Sequence, residues 1–435
     1  MTRASIIVVS WNGVACLREC LDAILVQTGP DDQVIVVDNA STDGSAEFVH
    51  ERYPQICLIE NTCNLGFAGG LNVGLRAAQG DFLFSVNQDV TIASGWLESL
   101  LETIGRPGVG IVGCKLFYPD GTIQHAGGIM RWPQAVVGHY GYHQPDDGSW
   151  DKMRQVDFVT GAAWGFRRAV MEQIGFLDEG FWPGYYEEVD YCFRARQSDW
   201  QVVYTPKATG VHYESTSLEH GSEIYLEAFH RGRLRFVLKH HESRQAARDF
   251  FESEQQFAQA YTASAQRQIL RRVYFDTLMS LPDLPNPVYL STDSEADTSV
   301  PLPMGLIDGL SDLYSLATHV SRRGEKHMED QPQATQLPVL HEHDFRSSVP
   351  FVGPLIQAIR RGLYNLTAKW GILTVIEQQN QINQTIAQRL EEIEELLIEQ
   401  DRDITQTARQ VAEMGIRQRY LLKHLSNEGH LISTK

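Results

Sequence analysis

Long apolar runs are missing from this chain of 435 residues. No stretch reaches the roughly 18 apolar residues a membrane-spanning helix needs, so none is expected. Cysteine is sparse: Cys16, Cys20, Cys57, Cys63, Cys114 and Cys192. None forms a Cys-x-x-Cys pair and no His/Cys cluster has zinc spacing, which argues against zinc modules and dithiol chemistry. All six sit inside apolar patterns and read as reduced thiols of a cytoplasmic protein. Positive charge is in deficit, 37 Lys and Arg against 55 Asp and Glu, net −18. Nucleic acid is excluded as a partner, because binding it needs a basic stripe. A diphosphate reached through a divalent cation is not excluded. The run Ile6-Ile7-Val8-Val9 is too short for a signal-peptide core and reads as a first strand.

What is present is an alternation of short apolar runs and helical patterns. It predicts an α/β fold, a mostly parallel sheet with crossover helices. Strands are expected at Ser5–Val9, Val34–Asp38, Ile56–Glu60, Phe82–Val86 and Gly110–Phe117. Helices are expected at Ala15–Val26, Ser45–Arg52, Ala68–Ala78 and Ser94–Ile104, with Ser45 and Ser94 as N-caps. Tyr118-Pro119-Asp120-Gly121 signals a hairpin, and Trp132 to Trp150 reads as a loop over the site. Arg167–Ile174 and Glu188–Gln197 read as helices, Gln201–Tyr204 and Ala208–His212 as extended segments, and 222–275 as largely helical.

Ligands in such sheets bind beyond the carboxyl ends of the strands, and Asn12, Asp38 and Asp89 all follow strands. Asp38 suits a hydrogen bond from a base N–H or a ribose hydroxyl, whereas Ser41 and Asp43 fit equally well as helix caps. The glycines of Asn64-Leu65-Gly66-Phe67-Ala68-Gly69-Gly70 allow close backbone approach to a ligand, or tight helix–sheet packing. In Asn87-Gln88-Asp89 a buried strand ends in hard oxygen ligands suited to Mg²⁺ or Mn²⁺; a turn capping the next helix fits as well. Glu187, Glu188 and Asp190 crowd negative charge at a helix start, where the macrodipole favours it and where crowding raises a carboxylate toward general-base range. Trp182, Tyr185 and Tyr186 offer ring faces for a sugar, or a core aromatic cluster. His212 ends an extended segment as a metal ligand or a structural histidine.

In this order, these stretches resemble the family 2 glycosyltransferases, in their rhamnosyltransferase-like branch. The matching residues are Ser10-Trp11-Asn12-Gly13, Val37 to Ser45, Asn64 to Gly70, Asn87-Gln88-Asp89, Thr160-Gly161-Ala162 with Arg167-Arg168, and Glu187-Glu188-Val189-Asp190. The resemblance spans about residues 4–240. It implies a GT-A fold, a nucleoside-diphosphate sugar donor, a divalent cation, and inversion at the anomeric carbon by one in-line displacement. Carried over, Glu188 is the catalytic base, with Glu187 the neighbouring alternative. Asp89 and His212 hold the metal, and Asn12, Asp38, Asn64, Gly66 and Asn87 line the donor site. Trp164, Trp182, Tyr186 and Glu187 fall on the acceptor side. Asn87 stands where relatives carry the first acid of an Asp-x-Asp-type motif, so it lends an amide oxygen but no charge. Glu188 stands where many relatives have Asp.

The domain plan is 1–240 catalytic, 241–280 helical extension, 281–348 linker, 349–370 amphipathic helix and 371–425 long helix or coiled coil. The 349–370 segment sets Arg360, Arg361 and Lys369 apart from an apolar face. It fits peripheral contact with the inner face of a membrane, or docking onto the catalytic domain. Heptad positions at Ile376, Asn383, Leu390, Leu397, Ile404 and Val411, and at Ile386, Ile393 and Met414, fit a homo-oligomeric coiled coil or a bundle helix folded back on the protein. The expected function is sugar transfer to a glycan or lipid-linked acceptor in cell-surface polysaccharide synthesis. The competing reading is a non-catalytic coiled-coil scaffold carrying a degenerate transferase domain. A sugar nucleotidyltransferase is disfavoured, because Ser10-Trp11-Asn12-Gly13 lacks a basic nucleotide loop.

Overall fold

A computed structural model describes residues 4–214, 222–240, 244–260, 264–281, 307–317 and 369–432. Its frame is a ten-stranded sheet. The path runs β10 (Arg154–Gln155), β12 (Gln201–His212), β6 (Val109–Phe117), β11 (Ala163–Arg167), β4 (Phe82–Asn87), β1 (Ala4–Ser10), β2 (Gln33–Asp38) and β3 (Cys57–Glu60). Two short strands lie off it: β5 (Val90–Ile92) on β12 and β7 (Ile123–His125) on β6. A separate hairpin pairs β8 (Gly128–Arg131) with β9 (Val136–His139). Strands β1, β2, β3 and β4 are parallel, as the sequence pattern predicts. Their register sets Ser10 beside Asp38 and Val9 beside Asn87. The loops after three strands therefore open on one edge of the sheet.

Both faces are covered, which is why the strands read as unbroken apolar runs rather than alternating ones. One face packs on α1 (Val14–Leu25), α2 (Ser45–Arg52) and α4 (Trp96–Ile104), through residues such as Leu17, Leu21, Val49 and Leu100. The other packs on α3 (Gly66–Ala77), α5 (Arg168–Ile174) and α6 (Glu187–Gln197), through Leu71, Leu75, Val170 and Val189. That second core continues into α7 (Glu223–Lys239), α8 (Arg244–Ala260), α9 (Ser264–Ser280) and α10 (307–317), and on to Ala408, Ala412 and Ile416 of α11 (Lys369–Ile432).

Several local expectations shift. Strand β11, central in the sheet and antiparallel to both β4 and β6, is not predicted. Its Ala-Trp-Gly-Phe core is too short and too uniformly apolar to show a period. The two extended segments at 201–212 are one strand, with irregularity between Tyr204 and Thr209. The caps of α2 and α4 are Gly44 and Gly95, both left-handed, rather than Ser45 and Ser94; glycine accepts that conformation without a Cβ penalty. The expected loop from Trp132 to Trp150 contains β9, and the hairpin turn closes with Gly121 N–H donating to Tyr118 O at 2.9 Å. The expected linker contains α10, and the amphipathic segment lies outside the described residues apart from the first turn of α11.

Candidate active site

The loop after β1 is built by its neighbours. Gln88 Oε1 accepts from Ser10 Oγ at 2.9 Å and from Trp11 N–H at 3.0 Å, and Gln88 Nε2 donates to Trp11 O at 3.1 Å. A Cβ on Gly13 would meet Gln88 Oε1 at 1.9 Å, so any larger residue would displace the Gln88 amide from these bonds. Asn12, exposed and left-handed, knits this loop to the next: its N–H donates to Ser41 Oγ and its Oδ1 accepts from Thr42 N–H. Asp43 caps both neighbours, accepting from Val14 N–H and Ser45 N–H. Asp38 is 3% exposed. Its Oδ2 accepts from Ser41 N–H at 2.9 Å, whereas its Oδ1 is buried with no partner.

The Gly66 turn joins this side to the helix carrying the acids. Asn64 Oδ1 accepts from Gly66 N–H, and Gly66 O accepts from Asn39 Nδ2. Phe67 N–H donates to Pro183 O at 3.0 Å, and a Cβ on Gly66 would come 2.7 Å from Trp182 Cδ1. Trp182 is 54% exposed and offers a free ring face.

Beyond β4, Asp89 Oδ1 lies 3.2 Å from His212 Nε2. The pairing of β5 with β12 brings them together, because His212 sits opposite Val90. His212 Nδ1 meets Gln124 Oε1 at 2.9 Å, and Gln124 Nε2 donates to Glu214 Oε1 at 2.7 Å. Asn87 Oδ1 is buried without a partner. Among the described residues no three His, Cys, Asp or Glu side chains converge to hold a metal by themselves. Asp89 and His212 nonetheless form a pair of donors, one carboxylate oxygen and one imidazole nitrogen. They fit a divalent cation that takes its remaining ligands from phosphate and water, as Mg²⁺ commonly does.

The helix that carries the acids, α6, follows two strained residues. Tyr185 and Tyr186 have φ of 76° and 74°, a left-handed conformation costing on the order of 1–3 kcal/mol each. It points α6 inward, and Gly232 of α7 makes room, since a Cβ there would come 2.6 Å from Tyr185 O. Burial raises Glu187 well above the ordinary carboxylate range, and the Glu188 charge adds to this. Burial pushes Glu188 up to about 7, against hydrogen bonds from the backbone at Glu188, Val189 and Gly161. Oε2 of each is buried without a partner. Asp190 goes the other way. Burial disfavours its charge, but His240, Arg194 and Lys239 together hold it far below the usual range. Its contacts to Lys239 Nζ and His240 Nε2 are both 2.7 Å, and Arg194 Nε is at 2.8 Å.

The two sides are connected. Asn87 N–H donates to Ala162 O at 2.7 Å, and the neighbouring Gly161 packs against Glu188, its Cβ position 3.5 Å from Glu188 Cβ. His125 braces the same turn, its Nε2 accepting from Thr160 N–H at 3.3 Å.

Two expected acceptor residues are corrected. Trp164 is fully buried in β11 against Phe166 and Tyr191. Tyr186 is 2% exposed, its hydroxyl donating to Ala135 O at 2.8 Å. Both belong to the core and present no face to a ligand. Gln88, Gln124 and Glu214 are given no role by the sequence, because a lone amide or surface acid carries no pattern. Only adjacency to Asp89, on the same strand end, marks Gln88.

Residues 5–175 match the model of Glycosyl transferase family 2, and the mostly parallel sheet flanked by helices is the GT-A-like architecture that this resemblance implies. Two curated relatives are 31% identical. One is an uncharacterized protein, y4gI, of Sinorhizobium fredii, over 50% of this chain and 25% of its own length. The other is the O-antigen biosynthesis protein RfbC of Myxococcus xanthus, over 49% and 18%. The chain thus spans a quarter or less of these first relatives. An N-acetylglucosaminyl-diphospho-decaprenol L-rhamnosyltransferase of Mycobacterium tuberculosis is 26% identical over 54% of this chain and 84% of its own, in keeping with the rhamnosyltransferase-like branch. Among solved structures, S. aureus TarS 1-349 in complex with UDP-GlcNAc aligns with a TM-score of 0.45 and 14% identity, over 78% of this chain and 94% of that one. Likeness at that level carries no argument about the site.

Proposed function

We propose that the protein is an inverting glycosyltransferase. It moves a sugar, rhamnose by analogy with the mycobacterial relative, from a nucleoside-diphosphate donor to a hydroxyl of a glycan or lipid-linked acceptor in cell-surface polysaccharide synthesis. The observation that carries this reading is the linkage of an Asp–His pair to a glutamate raised to about 7, through Asn87, Ala162 and Gly161. Near pH 7 such a glutamate is unprotonated often enough to accept a proton, and basic enough to use it. Glu188 takes the acceptor hydroxyl proton as the new oxygen–carbon bond forms and the bond from the anomeric carbon to the diphosphate oxygen breaks. Asp38, Asn64, Gly66 and Asn87 fit the donor side, Asn12 shaping the loop beside them, and Trp182 with Glu187 fit the acceptor side. Asp89 and His212 would hold a divalent cation, Mg²⁺ or Mn²⁺, which when bound neutralises charge on the departing diphosphate. The test is a nucleotide-sugar panel assayed with Mn²⁺. Transfer by wild type that collapses in Glu188→Gln while donor binding persists supports the reading; normal transfer by Glu188→Gln ends it. Calorimetry with a nucleoside diphosphate and Mn²⁺ separates it from the scaffold reading, which requires no binding.

A second role rests on α11. One face of that helix docks on the body: Ala408, Ala412 and Ile416 are buried, Asp401 pairs with Arg271, and Arg409 reaches Asp308 at 2.6 Å. The heptad positions Ile386, Leu390, Ile393, Leu397, Ile404, Val411 and Met414 are exposed, with Ile404 bordering the docked face beside Arg271 and Tyr314. A repeat of seven apolar positions calls for a partner helix. A second copy in parallel register suits it, because Asn383 and Gln400 then meet their own counterparts instead of apolar side chains. Among the described residues no helix is long and apolar enough to cross a membrane. Contact at the inner membrane face would rest on the 349–370 segment. Vesicle flotation of wild type against a reversal of Arg360, Arg361 and Lys369 tests it, and equal flotation removes the idea.

A further inference from the structure

We propose that Gln124, locked in orientation by Glu214, is a positioning residue for His212: it keeps the ring proton on Nδ1 and leaves Nε2 as a lone pair facing Asp89. The inference rests on reading Asp89 and His212 as cation ligands and deepens it. The logic follows from donors and acceptors. A carboxylate only accepts, so the atom of Gln124 lying 2.7 Å from Glu214 Oε1 is its NH₂ group. The other amide atom, 2.9 Å from His212 Nδ1, is then the carbonyl oxygen. It also only accepts, so Nδ1 carries the proton. In a neutral ring Nε2 then has none, and it faces a carboxylate oxygen at 3.2 Å. A divalent cation can take both atoms as ligands.

Without Gln124 the nearest demand on the ring proton would be Asp89 itself. The proton would move to Nε2 and block the position a cation needs. Gln124 is 6% exposed and sits on β7, held in the sheet by β6, so its amide has a rigid mount. Partners of this kind, which set a ligand's tautomer without touching the metal, typically matter 10–100-fold in affinity.

The test reads the proton directly. Nitrogen-15 histidine spectra of the full chain are recorded without metal at alkaline pH, where the ring is neutral, with His212 identified by its loss in His212→Ala. The expected result is the Nδ1–H tautomer in wild type and the Nε2–H tautomer in Gln124→Leu, with Glu214→Gln, made together with Tyr118→Phe, giving a mixture because the amide then loses both groups that fix its orientation. If Gln124→Leu fails to fold, Glu214→Gln with Tyr118→Phe, altered outside the buried amide, decides alone. An Nε2–H wild type, or variants with an unchanged tautomer, overturns the proposal. Titration of Mn²⁺ with dTDP present should weaken 10–100-fold in Gln124→Leu and be lost in His212→Ala. Unaltered Mn²⁺ binding by His212→Ala would refute the cation reading itself, a result separate from the tautomer.

Discussion

Glu188 and Asp190 lie two residues apart on one helix, yet their surroundings drive them in opposite directions. Glu188 faces the Thr160-Gly161 turn, with no cationic side chain among the groups that shift it, and burial pushes it up to about 7. Asp190 faces α7, where Lys239 and His240, with Arg194 of its own helix, hold it ionised. The acid that looks most like a reactive cluster in the sequence is thus two devices. One carboxylate is left short of partners and ready for a proton; the other is saturated with partners and fastens the helix. Environment assigns the role, because residue type is nearly the same.

The comparison can be broken most severely at Glu188. Glu188→Gln is expected to slow transfer by about 10²–10⁴-fold with donor affinity kept, measured as kcat and donor Kd. Asp190→Ala attacks the other device. Removing one member of a buried ion-pair network costs about 3–5 kcal/mol, read as a loss in denaturant midpoint. Its charge is also a pH device. Because the folded value is depressed, its stabilisation is present above the unfolded value of roughly 4 and fades as pH falls below it. The same melt repeated at acid pH should show the wild type approaching the variant.

Glu187 sharpens the contrast more gently. Its folded value is raised, so wild type loses stability as pH climbs above the ordinary carboxylate range. Glu187→Gln should remove that loss and gain about 1–2 kcal/mol at neutral pH, seen as a higher Tm at pH 7 but not at pH 4. The same variant assigns the base. The rising limb of the pH–rate profile, expected near 7, should survive Glu187→Gln; if it disappears there, Glu187 is the proton acceptor. The smallest effect on the catalytic domain is expected from Leu390→Lys with Leu397→Lys. These exposed seam changes should leave the unfolding free energy of the N-terminal domain within about 0.5 kcal/mol while converting a dimer to a monomer by light scattering. A wild type that is already monomeric removes the paired-helix proposal.

Legibility followed burial pattern. Strands β1 to β4 and helices α1 to α4 were visible because each presents a run or period that recurs over several residues. Asp38, Asp89 and His212 were visible because strand ends concentrate polar groups at a sheet edge. Strand β11 was not, since four of its five residues are buried and show no alternation. Trp164 and Tyr186 were misplaced for the same reason: an aromatic that stacks on a sugar and one that fills a core are the same residue until its neighbours are known.

Order along the chain was enough to establish an α/β transferase-like domain with its acids at strand and helix ends, because hydrophobic period and local turn chemistry are properties of contiguous residues. Which acid stays short of partners, which nitrogen of His212 points at Asp89, and which face of α11 is covered are decided only in three dimensions. Each depends on groups more than 40 residues away in sequence, Lys239 beside Asp190, Gln124 beside His212, Arg271 beside Asp401. Desolvation and hydrogen-bond satisfaction act on whatever the fold brings within a few ångströms.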